Sequence, residues 1–510
     1  MPARDHGPVA LVVSDVFRRA AAATPRRVAA SLGERSITFG ELDRLANWTA
    51  HALSATGVRR GDRVAWWGGT CLDAVVLFAA LSKLGAAFVP VNSLLGPAEA
   101  SPVLAKARPR LLVTEAGHAE AAVAAARDLD LPLAHVGERP GPGRDLRASS
   151  LAGQASGSDA SDPGLGERDT HVIFFTSGST GAPKGVVLSH RANCLRTFPA
   201  NAAVAPGATV CMFPLFHMAS WTLALGCWQQ RQELALSPGA DAASLLATVQ
   251  ARRARRIYLI PSVWQRVLDE LSARPGRWDT SSLGEADTGT SATPPELISA
   301  IRRALPGTTT RVMYGSTEAG PATSLAPEDV ERKPGSVGLP SFGVDLRLAE
   351  DGEVLVSSEF LMDGYFEDEE ATAGALADGW YRTGDLGSLD DEGYLSIVGR
   401  SRDVIRTGGE TVSPAEVESV LARLSGVRQV AVVGVPDDRW GEVVCAVVVP
   451  EPGAHLELSG IRQACQGLLA PYKHPRRLAL VDSLPTTPAT GQVQRRLLAE
   501  RLRAGQPATE

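Results

Sequence analysis

The order of apolar and polar positions along the chain predicts alternating helices and strands that change character twice. Between residues 14 and 60 it predicts a helix, a short hairpin and a second helix: DVFRRAAAATP has apolar residues at helical spacing, RVAASLGERSITF alternates as strands do, and GELDRLANWTAHALSATG returns to the helical period. From Asp62 the rhythm is βαβ, with DRVAWW a strand, LDAVVLFAALSKLG a helix and AAFVPVN the next strand. RLLVTE from Arg110 and LPLAHVG from Leu131 continue it. Residues 138–168, rich in Gly, Ser, Pro and Asp, have no period and are expected to form an exposed connection. HVIFFTSGSTGAPKGVVLSH at 171–190 sets a strand before a glycine-rich loop, with a helix from Ser189. ATVCMFPLF, RIYLIPSVW and TRVMYGSTEAG each end a strand where polar residues or glycines begin, which is where open α/β sheets bind ligands.

After about residue 335 the pattern turns to short strands and turns, GSVGLP, DLRLAEDGEVLVSS, GWYRTGDLG and GYLSIVGR. Near Arg402 a smaller unit begins, with helix AEVESVLARL, strands QVAVVGVPD and VVCAVVV, helix LSGIRQACQGLL and a closing helix GQVQRRLLAERLRA. The expected fold is therefore α/β. A large multi-layered N-terminal region, residues 1–400, holds α/β sheets and a small β-rich part, and a small C-terminal α/β domain spans 401–510.

Composition narrows this picture. A chain of 510 residues that is 44% apolar and 21% charged excludes disorder and fibrous folds and is long enough for more than one core. The apolar stretch AVVLFAALSKLGAAFVPV from Ala74 is broken by Lys83 and reads as a buried helix running into a strand, not a membrane span. The N-terminus lacks a long hydrophobic region with a cleavage site, so no secretory leader is expected and a cytoplasmic location is. A net charge of −6 disfavours nucleic acid as a partner, and the run ARRARR at 251–256 is expected as solvated helix surface. Six cysteines, at 71, 194, 211, 227, 445 and 465, include no CxxC and read as buried free thiols. Trp66 and Trp67 read as packing residues.

Three stretches can carry chemistry. TSGSTGAPKG, 176–185, offers hydroxyls at Thr176, Ser177, Ser179 and Thr180, open backbone at Gly178 and Gly181, and the charge of Lys184, a set suited to phosphate. Its lysine precedes Gly185 and then Val, so it is not a Walker P-loop; an ordinary Gly/Ser turn is the alternative. In YGSTEAG, 314–320, Glu318 can hold Mg²⁺, Ser316 and Thr317 can meet phosphate, and Tyr314, ahead of Gly315, can cover a planar base, although a simple turn would look the same. In YRTGDLG, Asp385 can accept two sugar hydroxyls or close an Asx turn.

Together, and in this order, these stretches resemble the adenylate-forming superfamily of acyl-CoA ligases, nonribosomal peptide adenylation domains and luciferases, most closely the acyl-CoA ligases. The resemblance runs from the helix at residue 14 to the helix after Gln492. It implies that TSGSTGAPKG is the phosphate loop, that Tyr314 flanks adenine, that Thr317 contacts phosphate, that Glu318 is linked to Mg²⁺ and that Asp385 binds ribose. In GRSRDVIRTGGETVSPAEVE, 399–418, Arg400 falls on an arginine that approaches the nucleotide, Arg402 falls on the hinge of a mobile C-terminal domain, and Gly408 and Gly409 match a loop abutting the pantetheine tunnel. His217 in PLFHMAS falls where a histidine stands beside the carboxylate, with a buried structural histidine as the alternative. GTSA, 289–292, stands where many acyl-CoA ligases have GGAP, and the hydroxyls of Thr290 and Ser291 point to a small or polar acid.

The implied reaction uses ATP, Mg²⁺ and CoA: a carboxylate becomes an acyl-adenylate with release of pyrophosphate, and a thiol then displaces AMP after a large hinge motion. The expected partners are small molecules, with no nucleic acid, no membrane span and no carrier protein in cis. The departure is at ATGQVQRR, where Gln492 occupies the position of the catalytic lysine. Glutamine donates hydrogen bonds without charge, and losing that contact would cost on the order of ~10²-fold in the first step. Three readings follow. In the first, a small or aryl acid is activated and Arg495, Arg496 or Lys473 restores part of the charge. In the second the substrates change, as in enzymes that activate nitrite for an aryl amine. The third is an adenylate-binding protein impaired in adenylation.

Overall fold

The computed structural model describes residues 10–137, 141–146, 158–177, 183–197, 206–487 and 492–504. The chain divides into a larger unit, Met1–Pro334, Pro340–Asp345 and Val356–Tyr381, and a smaller one, Gly335–Leu339, Leu346–Leu355 and Arg382–Glu510. The architecture is mixed α/β with a large N-terminal and a smaller C-terminal part, as expected from the patterning.

Two sheets build the larger unit. In the first, Val28–Leu32, Leu234–Leu236, Thr209–Cys211, Arg256–Leu259, Glu285–Gly289 and Val312–Ser316 lie side by side and pair in parallel. Arg35–Thr38 and Gly320–Leu325 flank them in antiparallel pairing. In the second, an eight-stranded sheet, Arg63–Trp67 pairs in parallel with Ala87–Pro90 and Leu111–Thr114. A parallel pair needs a crossover, and the helix Leu72–Leu84 supplies it before ending on Gly85 at φ 68°, a left-handed cap that favours glycine. That helix is buried on nearly every side, so Lys83 has to be paired: its ammonium is 2.8 Å from Asp43 and 3.3 Å from Asp159. Phe78 stacks on Trp221 at 4.0 Å, and the Trp228 indole N–H donates to the Ala29 carbonyl of the first sheet. Trp66 and Trp67 are fully buried packing residues.

In the smaller unit, Val427–Asp437 and Gly441–Pro450 form a long antiparallel pair with both faces covered. Ala431, Val433, Cys445 and Val447 pack toward Leu498, while Val432, Val444, Ala446 and Val448 pack toward Val417, Leu421 and Ile461. Alternate residues point to opposite faces, so two covered faces require the near-continuous apolar runs seen in the sequence.

Several expectations are corrected. The strand Pro183–Ser189 runs antiparallel to Thr170–Ser177, so the glycine-rich loop joins two strands before the helix His190–Arg196 begins. The stretch 138–168 is not wholly irregular: within its described part, Arg144–Asp145 adds an edge strand beside Leu133–His135. The run at 251–256 is only partly surface. Arg253 is exposed beyond a helix end, but Arg256 opens a buried strand and donates to Asp287 at 2.8 Å, with Glu285 at 3.7 Å. Burial opposes that guanidinium's charge, yet the two carboxylates outweigh it and raise its pKa. The closing helix is Arg495–Arg503, so Gln492 precedes it, next to Val493, which bridges to Thr486. All six cysteines are free thiols, five of them buried.

Candidate active site

The strand Thr170–Ser177 returns through Pro183–Ser189 with Thr176 opposite Lys184, and the Thr176 hydroxyl donates to the Lys184 carbonyl at 3.5 Å. Gly178, Ser179, Thr180 and Gly181 lie outside the described residues, as does the Ser177 side chain. The Lys184 ammonium sits over the Tyr365 ring at 5.0 Å, and the Tyr365 hydroxyl donates to Glu318 at 3.2 Å. Burial first, and then the Glu318 charge, push the Tyr365 phenol's pKa up, so it stays a donor. Tyr365 thus links the lysine of one motif to the carboxylate of another. The sequence reading missed it because its segment, FLMDGYFED, matches none of the three motifs.

Tyr314, Gly315 and Ser316 end the strand Val312–Ser316, and Thr317 and Glu318 form the turn into Gly320–Leu325. A Cβ on Gly315 would lie 2.2 Å from the Gly320 carbonyl oxygen, so only glycine fits this hairpin. The Ser316 hydroxyl accepts from the Ala319 amide at 3.0 Å. Behind the turn is a second residue that belongs to none of the three motifs. Arg196, fully buried, donates to the carbonyls of Thr317 at 2.9 Å and Phe360 at 2.7 Å. Burial lowers its pKa to about 10 against the opposing charges of Asp363 and Glu318, and it stays cationic.

Tyr365 engages one oxygen of Glu318. No cluster of three or more His, Cys, Asp or Glu suited to a metal occurs among the described residues. A single carboxylate completed by phosphate oxygens is how Mg²⁺ accompanies a nucleotide, so the residues fit that ion arriving with its substrate.

His217 caps the helix Met218–Gln229: its Nδ1 accepts from the Ala219 amide at 3.2 Å, and its ring stacks on Phe213 at 5.5 Å. Burial pulls its pKa down to about 4, leaving a neutral ring with its proton on Nε2, able to donate. Thr290 follows the strand Glu285–Gly289 at φ 65°, a left-handed conformation costly for a β-branched residue, and its hydroxyl donates to the Gly289 carbonyl at 2.6 Å. Ser291 comes next, its carbonyl accepting from Thr293.

In the smaller unit, Asp385 and Arg400 face each other across an antiparallel pair and form an ion pair at 2.7 Å. Gly408 and Gly409, at φ 60° and 86°, make the two-residue turn between Ile405–Thr407 and Glu410–Val412. Arg402 is beside Asp403, 3.8 Å away. Gln492 exchanges two bonds with Thr487: its amide donates to the hydroxyl at 3.1 Å, and its carbonyl accepts from the amide at 2.7 Å. The cations expected to compensate for it are engaged elsewhere. Arg495 pairs with Glu418 at 2.7 Å, Arg496 with Glu500 at 2.8 Å, and Lys473 with both oxygens of Glu416.

Comparison with known proteins identifies the family. Residues 17–366 match the AMP-binding enzyme family and residues 416–490 the AMP-binding enzyme C-terminal domain. A feruloyl-CoA synthase of Amycolatopsis sp is 35% identical, covering 94% of this chain and 97% of its own. An indoleacetate–CoA ligase of Aromatoleum aromaticum is 34% identical over 95% and 96%. Among solved structures, the anthranilate CoA ligase AuaEII in complex with anthranoyl-AMP superposes with a TM-score of 0.88 at 27% identity, covering 98% and 99%. ATP-bound MatB from Rhodopseudomonas palustris gives 0.86 at 27% identity, covering 96% and 99%. Among the described residues, no helix is long and apolar enough to cross a membrane. On this match over most of its length, the chain belongs to the AMP-binding enzyme family, as an AMP-forming ligase of the acyl-CoA synthetase kind.

Proposed function

We propose that this enzyme activates an aryl or small carboxylic acid with ATP as its acyl-adenylate and transfers the acyl group to CoA, releasing AMP and pyrophosphate. The observation that carries the reading is the line from Lys184 through Tyr365 to Glu318, which brings the glycine-rich and YGSTE motifs together in the larger unit. In it, Lys184 and Thr317 hold phosphate oxygens, and the hydroxyl- and glycine-rich stretch 176–181 is the phosphate loop that the resemblance implies. Tyr314 flanks adenine. Charge builds on the α-phosphate and on leaving pyrophosphate, so fixed cations and donors aimed there lower the barrier. Mg²⁺, when bound at Glu318 and the phosphates, supplies further charge neutralisation. Neutral His217 donates from Nε2 to the carboxylate and orients it for attack.

The resemblance further implies that Asp385 binds ribose, that Arg400 approaches the nucleotide, that Gly408 and Gly409 meet pantetheine and that Arg402 is the hinge. Gln492 holds the lysine's position without charge, and the occupied ion pairs of Arg495, Arg496 and Lys473 favour a slowed first step over a rescued one. The names of the relatives support CoA as acceptor; nitrite activation and binding without turnover draw no support from them.

The test is a product assay by mass spectrometry with ATP, Mg²⁺, CoA and a panel of aryl and aliphatic acids. Acyl-CoA and AMP are expected. Lys184→Ala and Glu318→Ala are each expected to lower AMP release by about 10²-fold or more; unchanged release in both would refute the nucleotide site.

A further inference from the structure

Behind the line from Lys184 to Tyr365 stands a lysine that belongs to none of the motifs. Lys106 is in the last turn of the helix Pro97–Ala107. Proline at the first position and the Glu99 carboxylate, accepting from the Gly96 amide at 3.1 Å, start that helix. Ala100, Leu104 and Ala107 then seat it in a core against which Phe175, Val187 and Phe366 also pack. From this fixed base the Lys106 ammonium donates to the Pro183 carbonyl at 3.2 Å, in the peptide that leads into Lys184, and pairs with Asp368 at 3.5 Å.

Both partners are tied to the site. Pro183 begins the strand in which Lys184 faces Thr176. Asp368 caps the helix Glu369–Ala375, accepting from the Ala371 amide at 3.1 Å, and follows Tyr365 by three residues. Between them the short strand Gly364–Tyr365 pairs with Val187 and Val186, and the Phe366 amide donates to the Gly185 carbonyl at 2.7 Å. One cation thus joins the backbone just before Lys184 to the segment just after Tyr365, the two residues whose side chains meet at 5.0 Å. Arginine is the usual cation in this chain, since only five of its 51 basic residues are lysines. An ammonium suits this place because it is a compact charge that can bond a carbonyl and a carboxylate from different directions, where a guanidinium presents a planar fork.

We infer that Lys106 is a positioning residue for adenylation: it holds the peptide before Lys184 and the helix cap after Tyr365, so that the Lys184 ammonium is presented to the phosphates beside Glu318. This rests on the ligase reading and deepens it. Without Lys106 the Lys184 charge remains but is misplaced, and a displacement of about 1 Å is enough to cost up to ~10²-fold in rate. The loss falls on the transition state, where charge builds on the α-phosphate and pyrophosphate, more than on the binding of ATP.

The test is a double-mutant cycle on AMP release, with ATP labelled at the α-phosphate, Mg²⁺, CoA and the acid of the panel above that the wild type turns over fastest. Lys106→Met keeps an apolar stem and removes the ammonium. It is expected to lower kcat about tenfold while changing the KM for ATP by less than about threefold. In the Lys184→Ala background the same substitution is expected to change AMP release by less than about twofold, because the group it positions is gone. A lysine that only stabilised the fold would lower release by the same factor in both backgrounds. Equal factors, or an unchanged kcat in Lys106→Met, overturn the inference and leave the ligase reading standing. If Lys106→Met does not fold, Asp368→Asn, which keeps the helix cap and removes the ion pair, replaces it in the cycle, with the same pattern expected at about threefold. A wild type that releases AMP with no acid of the panel overturns both.

Discussion

Gln492 stands where the resemblance to the acyl-CoA ligases implies a lysine. Its backbone is fixed by two bonds to Thr487, so a longer side chain can be introduced there without disturbing the local pairing. On the proposed reading, a lysine at 492 adds a charge-assisted contact made mainly in the transition state, a class of interaction worth a few kcal/mol. Gln492→Lys is thus expected to raise ATP–pyrophosphate exchange by roughly tenfold or more. Equal or slower exchange would mean that the first step does not depend on a cation at this position. Arg196 makes the complementary point. A buried guanidinium bonded to the Thr317 and Phe360 carbonyls holds the YGSTE turn from behind, a role that nothing distinguishes from that of a surface arginine in HRANCLRTF.

Among the elements, the short hairpins of the smaller unit set tight steric limits. Gly408 stands at φ 60° in a two-residue turn, and a Cβ added there would lie 2.6 Å from the Trp440 ring. Arg439 and Arg476 stack on that ring at 5.1 and 4.2 Å, leaving it little room to shift. Gly409, at φ 86°, has open space around its position. Gly408→Ala is therefore expected to destabilise the smaller unit by about 2 kcal/mol, more than Gly409→Ala, in chemical denaturation followed by Trp fluorescence. Equal effects for the two variants would show that backbone strain alone, and not the contact with Trp440, decides. The helix Leu72–Leu84 shows the same dependence on surroundings. Its apolar run predicted burial, but the pairing of Lys83 with Asp43 and Asp159 depends on residues distant in sequence.

Over the whole molecule, buried histidines couple folding to pH. His171 and His190 are both fully buried, 4.5 Å apart, and burial lowers both pKa values, that of His190 to about 4. His190 Nδ1 accepts from the Val13 amide, which a protonated ring could not do. In the unfolded chain each would titrate near 6.5, so between pH 6.5 and 4 the unfolded state binds more protons. Stability is therefore full above pH 6.5 and is lost as pH falls toward 4, by on the order of 2 kcal/mol at pH 5 from His190 alone. A melting temperature unchanged between pH 7 and pH 5 would contradict this. The alternation of apolar runs, the glycine-rich loops and their order were enough to read the α/β class and the family and to name candidate nucleotide motifs, because period and local turn chemistry are written along the chain. Long-range contacts were not: Tyr365 between Lys184 and Glu318, Arg196 behind Thr317, and the burial of Arg256 against Asp287. Each depends on which distant segments the sheets bring together, and that is set by packing of the whole chain, which no local pattern encodes.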